Sequence, residues 1–285
     1  MLDPSILADL VAEARLAPSV HNVQPTRWAL AGEDRILVLE DPERALPVAD
    51  PHGRDVGISH GAAIEGMLAA LARRGLTAAV DIDPADGDGR LRCRASLKVH
   101  QGPVDDRPGK LAKQRATWRG DFLRPTAQQR VAASQLAGDD VVAVTDPAEI
   151  RAIAALGDEA SMFFVRDPDH RRELLHWMRL SRAHPDWSRD GLNAEAMHLG
   201  RLEAAGAGLI LGPLFRPLDR FGLAAPVLAE KRKTIGATAI LLFHRPVGED
   251  PVATGRAYYQ RWLAAEAAGL AACPMSVLAD WTRSN

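Results

Sequence analysis

Three stretches of the chain carry polar groups in spacings that suit a small ligand. The first, Ala17 to Trp28, reads APSVHNVQPTRW. Its prolines stiffen the backbone, and Ser19, Asn22 and Gln24 offer hydroxyl and amide groups that both donate and accept. Such groups suit the edge of a planar heterocycle, and they equally suit an Asx-type turn in which the side chains bond their own backbone. The second is Arg115-Ala-Thr117-Trp-Arg119. In an extended chain, residues 115, 117 and 119 face one way. Two guanidiniums flanking a hydroxyl can then hold phosphate oxygens through charge-assisted bonds. The other reading is a solvated basic stretch. The third is Gly269 to Ser276, GLAACPMS. Small residues before Pro274 allow close backbone approach, and a free N–H at Met275 or Ser276 can point at a redox-active ring nitrogen. A helix C-cap with a proline stop explains the same residues. Cys273 reads as a small core residue.

Other chemistries lack their residues. The chain has no GxGxxG after a strand, no GxxxxGK[ST], no HExxH and no GxSxG. His176, His184 and His198 have spacings that suit no metal site, and no metal is assigned. With only Cys93 and Cys273, no disulfide framework is expected and a reducing compartment fits. The formal charge of −2 gives no field favouring nucleic acid or an anionic membrane. The acidic start MLDPSILADL does not resemble a signal peptide, and no apolar run reaches the roughly 18 residues of a membrane span. The cytoplasm is the default expectation.

The elements that must position these groups follow from pattern. Asp3 caps a helix with Pro4 at its first position, ending before Pro18. Short strands are expected at 28–30 and 36–40, a helix at 61–74, and strands at 80–83 and 91–99 around a turn from Pro84 to Gly89. Residues 101–110, QGPVDDRPGK, read as a linker. Beyond it come a strand at 141–144, a long helical stretch over about 148–183, a Gly/Pro-interrupted lid or loop at 206–226, and a strand at 234–243. Mixed helices and strands without strict alternation give an α+β class.

The helix at 61–74 recurs. Gly61 to Val80 aligns without a gap on Gly255 to Pro274, 194 positions later, with Gly61/Gly255, Ala63/Ala257, Ala70/Ala264, Gly75/Gly269, Leu76/Leu270 and Ala78/Ala272 identical. The pattern suggests a fused dimer: a first half over 1–100, the linker at 101–110 and a second half over 111–285. By the same offset, the strand at 91–99 has its counterpart beyond Asn285, so the expectation is that either the second half lacks its final strand or the sequence is cut short.

Together the three stretches resemble signatures of the nitroreductase superfamily of FMN enzymes. APSVHNVQP is similar to its APSxxNxQPW segment, RATWRGDF to its RxSxR phosphate motif, and GLAACPMS to its GLxxxPxxG segment beside flavin N5. The motif order, the repeat and the run His52 to Ala63 resemble the branch in which two degenerate halves form one pseudo-dimer. That resemblance implies a nitroreductase-like fold, with a mainly antiparallel sheet flanked by helices in each half. It implies that Arg115, Thr117 and Arg119 hold the FMN phosphate. Ser19, His21, Asn22 and Gln24 would contact the isoalloxazine and ribityl parts, and Pro274, Met275 and Ser276 would lie near N5. NAD(P)H would be the electron donor and a nitroaromatic, quinone-like or other electron-poor small molecule the acceptor, in a monomeric pseudo-dimer. An FMN-sequestering protein without turnover is the alternative. The chain departs from the signatures at Thr26, where tryptophan is usual, and at Met275-Ser276-Val277, which lacks the usual glycine.

Overall fold

The structure, a computed structural model, describes residues 2–83 and 91–284. The chain forms two compact units, Met1–Ala116 with Arg245–Ala267, and Thr117–His244 with Ala268–Asn285. These differ from the expected division into 1–100 and 111–285.

The first unit opens with α1 (Pro4–Ala14), capped by the Asp3 carboxylate, which accepts from the Ser5 and Ile6 amides. The hairpin β1 (Thr26–Leu30) and β2 (Arg35–Glu40) follows, then α2 (Arg54–Ala72), β3 (Leu76–Ile82), β4 (Arg92–Gln101) and α3 (Arg107–Gln114). The strands form one antiparallel sheet in the order β1-β2-β4-β3. β2 is covered on both faces, because alternate residues point opposite ways. Ile36 and Val38 join Leu10, Ile64, Met67, Leu71 and Leu97 in the main core. Leu37 and Leu39 meet Cys93 on the other face. Full burial of each such aliphatic is worth about 1.5–3 kcal/mol.

α2 begins seven residues before the expected helix, at Arg54 rather than residue 61. Asp50 sets that start by accepting from the Arg54 and Val56 amides. Residues 101–110 are not a loose connection: they end β4, begin α3, and are tied down by the Asp105 amide bonding to the Ala72 carbonyl. The expected turn at Pro84 to Gly89 lies outside the described residues.

The second unit carries α4 (Ala127–Ser134), β5 (Val141–Val144), α5 (Pro147–Arg166), α6 (Pro168–Trp177), β6 (Met178–Arg179), β7 (Leu192–Asn193), α7 (Arg201–Leu211), α8 (Phe215–Arg220), α9 (Ala224–Leu228), α10 (Lys231–Ile235) and β8 (Ile240–Phe243). β5 and β8 pair antiparallel, and β6 and β7 form a short parallel pair. The long helix expected over 148–183 divides at Asp167. Pro168 disfavours helical geometry at the residue before it, and the Asp167 carboxylate caps α6 instead. The expected lid at 206–226 is helical, because Gly212 and Pro217 separate or open helices here rather than unwinding the whole segment. The expected strand at 234–243 is reduced to β8, its first residues lying in α10 and a turn.

The chain then returns to the first unit as α11 (Pro251–Ala267) and leaves again to end in α12 (Val277–Ser284). α11 packs along α2, and the contact is backbone on backbone. A Cβ at Gly61 would stand 2.1 Å from the Val252 carbonyl oxygen, and one at Gly255 would stand 2.1 Å from that of Ile58. The two contacts exchange under the 194-residue offset that relates the repeated segments, so the glycine crossing itself is symmetric between the two helices. Glu65 adds two bonds across the pair, from Arg256 Nε at 2.6 Å and Gln260 Nε2 at 2.9 Å.

Gly255→Ala should destabilise the protein by roughly 1–3 kcal/mol, the usual cost of overpacking a tight contact. Gly206→Ala, in α7 with nothing within 4 Å of the added Cβ, should stabilise by about 0.5–1 kcal/mol. Urea unfolding midpoints check both signs. A Gly255→Ala midpoint at or above the parent's would contradict the packing argument.

Candidate functional site

In the first unit, the loop from Ala17 to Pro25 is held in a conformation that side chains resist. His21, Asn22 and Gln24 all take positive φ, at 44°, 54° and 51°. Such conformations are uncommon outside glycine and cost of order 1–3 kcal/mol each, so they persist only where the surroundings enforce them. The restraints are identifiable. Ser19 Oγ accepts from the Gln24 amide at 3.0 Å, and the Asn22 amide donates to the Ser19 carbonyl at 2.9 Å. Val23 and Pro25 are buried, and Arg44 donates to the Val23 carbonyl at 3.1 Å. The turn reading of Ser19 is therefore realised. Asn22 is exposed, while Ser19, His21 and Gln24 are half-buried.

α2 fastens both ends of this loop. Ser59 Oγ accepts from the Val20 amide at 3.0 Å and donates to the Asp55 carbonyl at 2.7 Å. One residue on, the fully buried His60 places Nδ1 2.9 Å from Thr26 Oγ1. Its Nε2 faces Glu40 Oε2 at 3.6 Å, and Arg94 Nε stands 3.7 Å from the same oxygen. An ionised carboxylate only accepts, which puts the imidazole proton on Nε2 and makes Thr26 the donor to Nδ1. Burial pushes the His60 imidazole down from its ordinary value, against the pull of Glu40; the Arg94 and Arg92 charges push the same way as burial. The Glu40 carboxyl is held below the usual range, chiefly by the His60 N–H directed at it. Thr26, where a tryptophan would have been usual, thus serves this network. The sequence reading missed it, since Thr26, Glu40, His60 and Arg94 are far apart in the chain and share no motif.

Arg115, at the end of α3, reaches the same loop. Its Nη2 donates to the Leu16 carbonyl at 2.7 Å, and its guanidinium carbon lies 4.4 Å from the Trp262 ring centroid and 5.8 Å from that of Tyr259. Stacking on aromatic faces fixes the plane of the group. Its Nε and Nη1 are buried without a hydrogen-bond partner, as are Trp262 Nε1 and the Tyr259 hydroxyl. Burial pushes the Tyr259 phenol up, while Arg115 pulls back through its charge and through N–H groups that face the hydroxyl without reaching hydrogen-bond geometry. Tyr259 and Trp262, three apart on α11, were not singled out in the sequence; their spacing on the repeated helix was the available signal.

In the second unit, Thr117 pairs with Ala272 in a parallel bridge, and the Trp118 amide donates to the Ala272 carbonyl at 2.9 Å. This brings the extended 117–119 segment beside the Gly269–Ser276 exit. Arg119 is half-buried, and burial pushes the Cys273 thiol up, with the Arg119 charge pulling the other way. Pro274, Met275 and Ser276 are exposed, and the Met275 and Ser276 amides donate to no described residue. Met275 packs toward Gly157 of α5. The structure thus groups Ser19, His21, Asn22, Gln24 and Arg115 in one unit, and Thr117, Arg119 and residues 274–276 in the other. Among the described residues, no cluster of His, Cys, Asp and Glu could hold a metal ion, and no helix is long and apolar enough to cross a membrane.

No protein-family model matches the chain. Similarity to curated proteins is distant. The chain is 28% identical over 123 residues to "Putative NAD(P)H nitroreductase acg" of Mycobacterium tuberculosis, covering 43% of this chain and 34% of that protein. It is 26% identical over 182 residues to "Putative NAD(P)H nitroreductase Rv3131" of the same species, covering 61% of this chain and 52% of that protein. The chain spans about a third to a half of the length of these relatives. Their names agree with the nitroreductase resemblance of the three motifs, and the mixed architecture with its antiparallel sheet agrees with an α+β class.

A neutral, buried His60 makes stability fall with acid. A depressed imidazole adds stability that is present above its unfolded value of 6.5 and is lost as pH falls through the folded value. Unfolding free energy should therefore drop from pH 7.5 to 5.5 in the parent protein, and drop less in His60→Gln. Equal pH slopes in urea titrations of the two proteins would refute the assignment.

Proposed function

We propose that this chain is an FMN-dependent oxidoreductase, taking reducing equivalents from NAD(P)H and passing them to a small electron-poor acceptor such as a nitroaromatic or a quinone. The observation that carries this reading is Arg115. A guanidinium stacked on Trp262, with buried N–H groups on Nε and Nη1 that have no partner, fits an anion that is part of the working protein. The donor set also suits the group: Arg presents a fork for phosphate oxygens, and the neighbouring loop presents hydroxyl, amide and imidazole groups suited to the polar edge of a flavin.

In this reading Arg115, Thr117 and Arg119 hold the FMN phosphate. Ser19, His21, Asn22 and Gln24 orient the ribityl chain and ring, on a loop whose strained backbone is fixed in advance by Ser59 and His60. Pre-set geometry lowers the ordering cost of binding. Pro274, Met275 and Ser276 offer a proline-stiffened backbone with open amides toward the ring. The flavin, when bound, supplies hydride acceptance and release. No side chain is assigned as acid or base. We read α2 and α11 as copies from two degenerate halves; their exchange-symmetric glycine contact supports this. One polypeptide would then stand in for a dimer and work as a monomer.

Arg115→Ala should weaken FMN binding by roughly 10- to 100-fold, the loss expected for hydrogen bonds to a charged group. Arg115→Lys should retain part of it, having the charge without the fork. Fluorescence titration of the flavin-stripped protein measures both, with circular dichroism confirming that each variant folds. Unchanged affinity in a folded Arg115→Ala protein would overturn the phosphate assignment.

A further inference from the structure

The second unit holds a cavity unrelated to the residues above. It is a half-open depression of about 260 Å³ between α5, α6 and α8, lined by Arg166, Arg171, Arg216, Asp219 and Arg220, with Pro168 and Phe215. One of the four guanidiniums is neutralised. Arg166 Nε lies 3.2 and 3.3 Å from the two Asp219 carboxylate oxygens, and its Nη2 lies 3.2 Å from one of them. Three arginines then face the cavity without an ion pair among the described residues.

Arg171 is the unusual member. It is buried, at 8% exposed, although a buried charge normally has a countercharge. Its Nη1 donates to the Val165 and Arg166 carbonyls at 2.5 and 2.9 Å, at the C-terminal end of α5. Its guanidinium carbon lies 4.0 Å from the centroid of the buried Phe215 ring. These contacts fix the guanidinium plane while Nε and Nη2 keep donors for something else. The Arg216 charge opposes Arg171, while the Asp167 and Asp219 carboxylates act on it from a distance; Asp219 is already paired with Arg166, and Asp167 caps α6, accepting from the Asp169 amide at 2.8 Å. Arg216 and Arg220 are exposed on α8 and complete the positive rim.

We propose that this cavity is a binding site for a phosphate dianion, free or as the monoester of a small molecule. A buried guanidinium held by two carbonyls and a ring, two exposed ones and one side open to the remainder of an ester match the charge and hydrogen-bond geometry of phosphate. A water occupies about 30 Å³ of liquid, so the cavity has room for the anion and the first atoms of an ester. The site is independent of the flavin reading, because none of its residues belongs to the FMN motifs.

Calorimetric titration of the full chain with inorganic phosphate and with phenyl phosphate, at matched ionic strength in chloride, tests it. Saturable one-to-one binding is expected, unchanged in Arg115→Ala and weakened at least tenfold in Arg216→Ala/Arg220→Ala, whose exposed side chains leave the fold intact. Tighter binding of the ester assigns the site to a phosphorylated small molecule, and tighter binding of inorganic phosphate assigns it to the free ion. No saturable binding, or equal binding in the double variant, would overturn the proposal. Loss in Arg115→Ala alone would place the bound phosphate at the flavin motif and reject this cavity.

Discussion

The contact between Gly61 and Gly255 is the constraint on which the rest of the first unit depends. Two helices separated by 194 positions approach until the backbone of each meets the other, because neither carries a side chain at the crossing. Such closeness leaves no room for even a methyl group at the crossing of α2 and α11. It leaves no freedom for either helix to slide, since protein interiors are close-packed and a methyl group at either glycine would collide with a carbonyl oxygen. Glu65, bonded to Arg256 and Gln260, locks the register from the polar side.

The candidate site is hung on this pair. α2 supplies Ser59 and His60, which hold the two ends of a loop whose backbone would not choose its own conformation. α11 supplies Tyr259 and Trp262, against which Arg115 lies. The costs are concentrated in the same place. Three residues at positive φ and an arginine with buried N–H groups that find no hydrogen-bond partner reduce stability. Costs of that kind are tolerated where a ligand offsets them, and strained or unsatisfied groups gather at functional sites for that reason.

Much of this was legible in the chain. The first helix was readable to its cap, because Asp3 and Pro4 act locally. The strand at 141–144 and the first sheet were readable because alternation and β-branched residues mark buried strands. The three candidate stretches drew notice because their residue types are unusual together. What failed to show depends on distance in sequence. The Thr26–His60–Glu40–Arg94 network joins four elements and has no local signature. The 206–226 segment reads as loop because Gly and Pro interrupt it, yet short helices take these residues in, Gly206 and Gly208 inside α7, Pro217 inside α8 and Pro226 inside α9. The run at 234–243 is apolar enough for a strand throughout, but only its last four residues find a partner in β5. Arginines 166, 171, 216 and 220 look like an ordinary solvated complement until α5, α6 and α8 fold them around one cavity.

The central claim is that the chain binds a flavin and reduces it with a nicotinamide donor. The most direct measurement is the visible spectrum of the FMN-loaded protein, recorded anaerobically before and after adding NADH or NADPH. The account predicts a flavin spectrum that bleaches with at least one donor and recovers when an electron-poor acceptor is added. Absence of bound flavin, or a bound flavin that dithionite reduces and neither nicotinamide does, would contradict it.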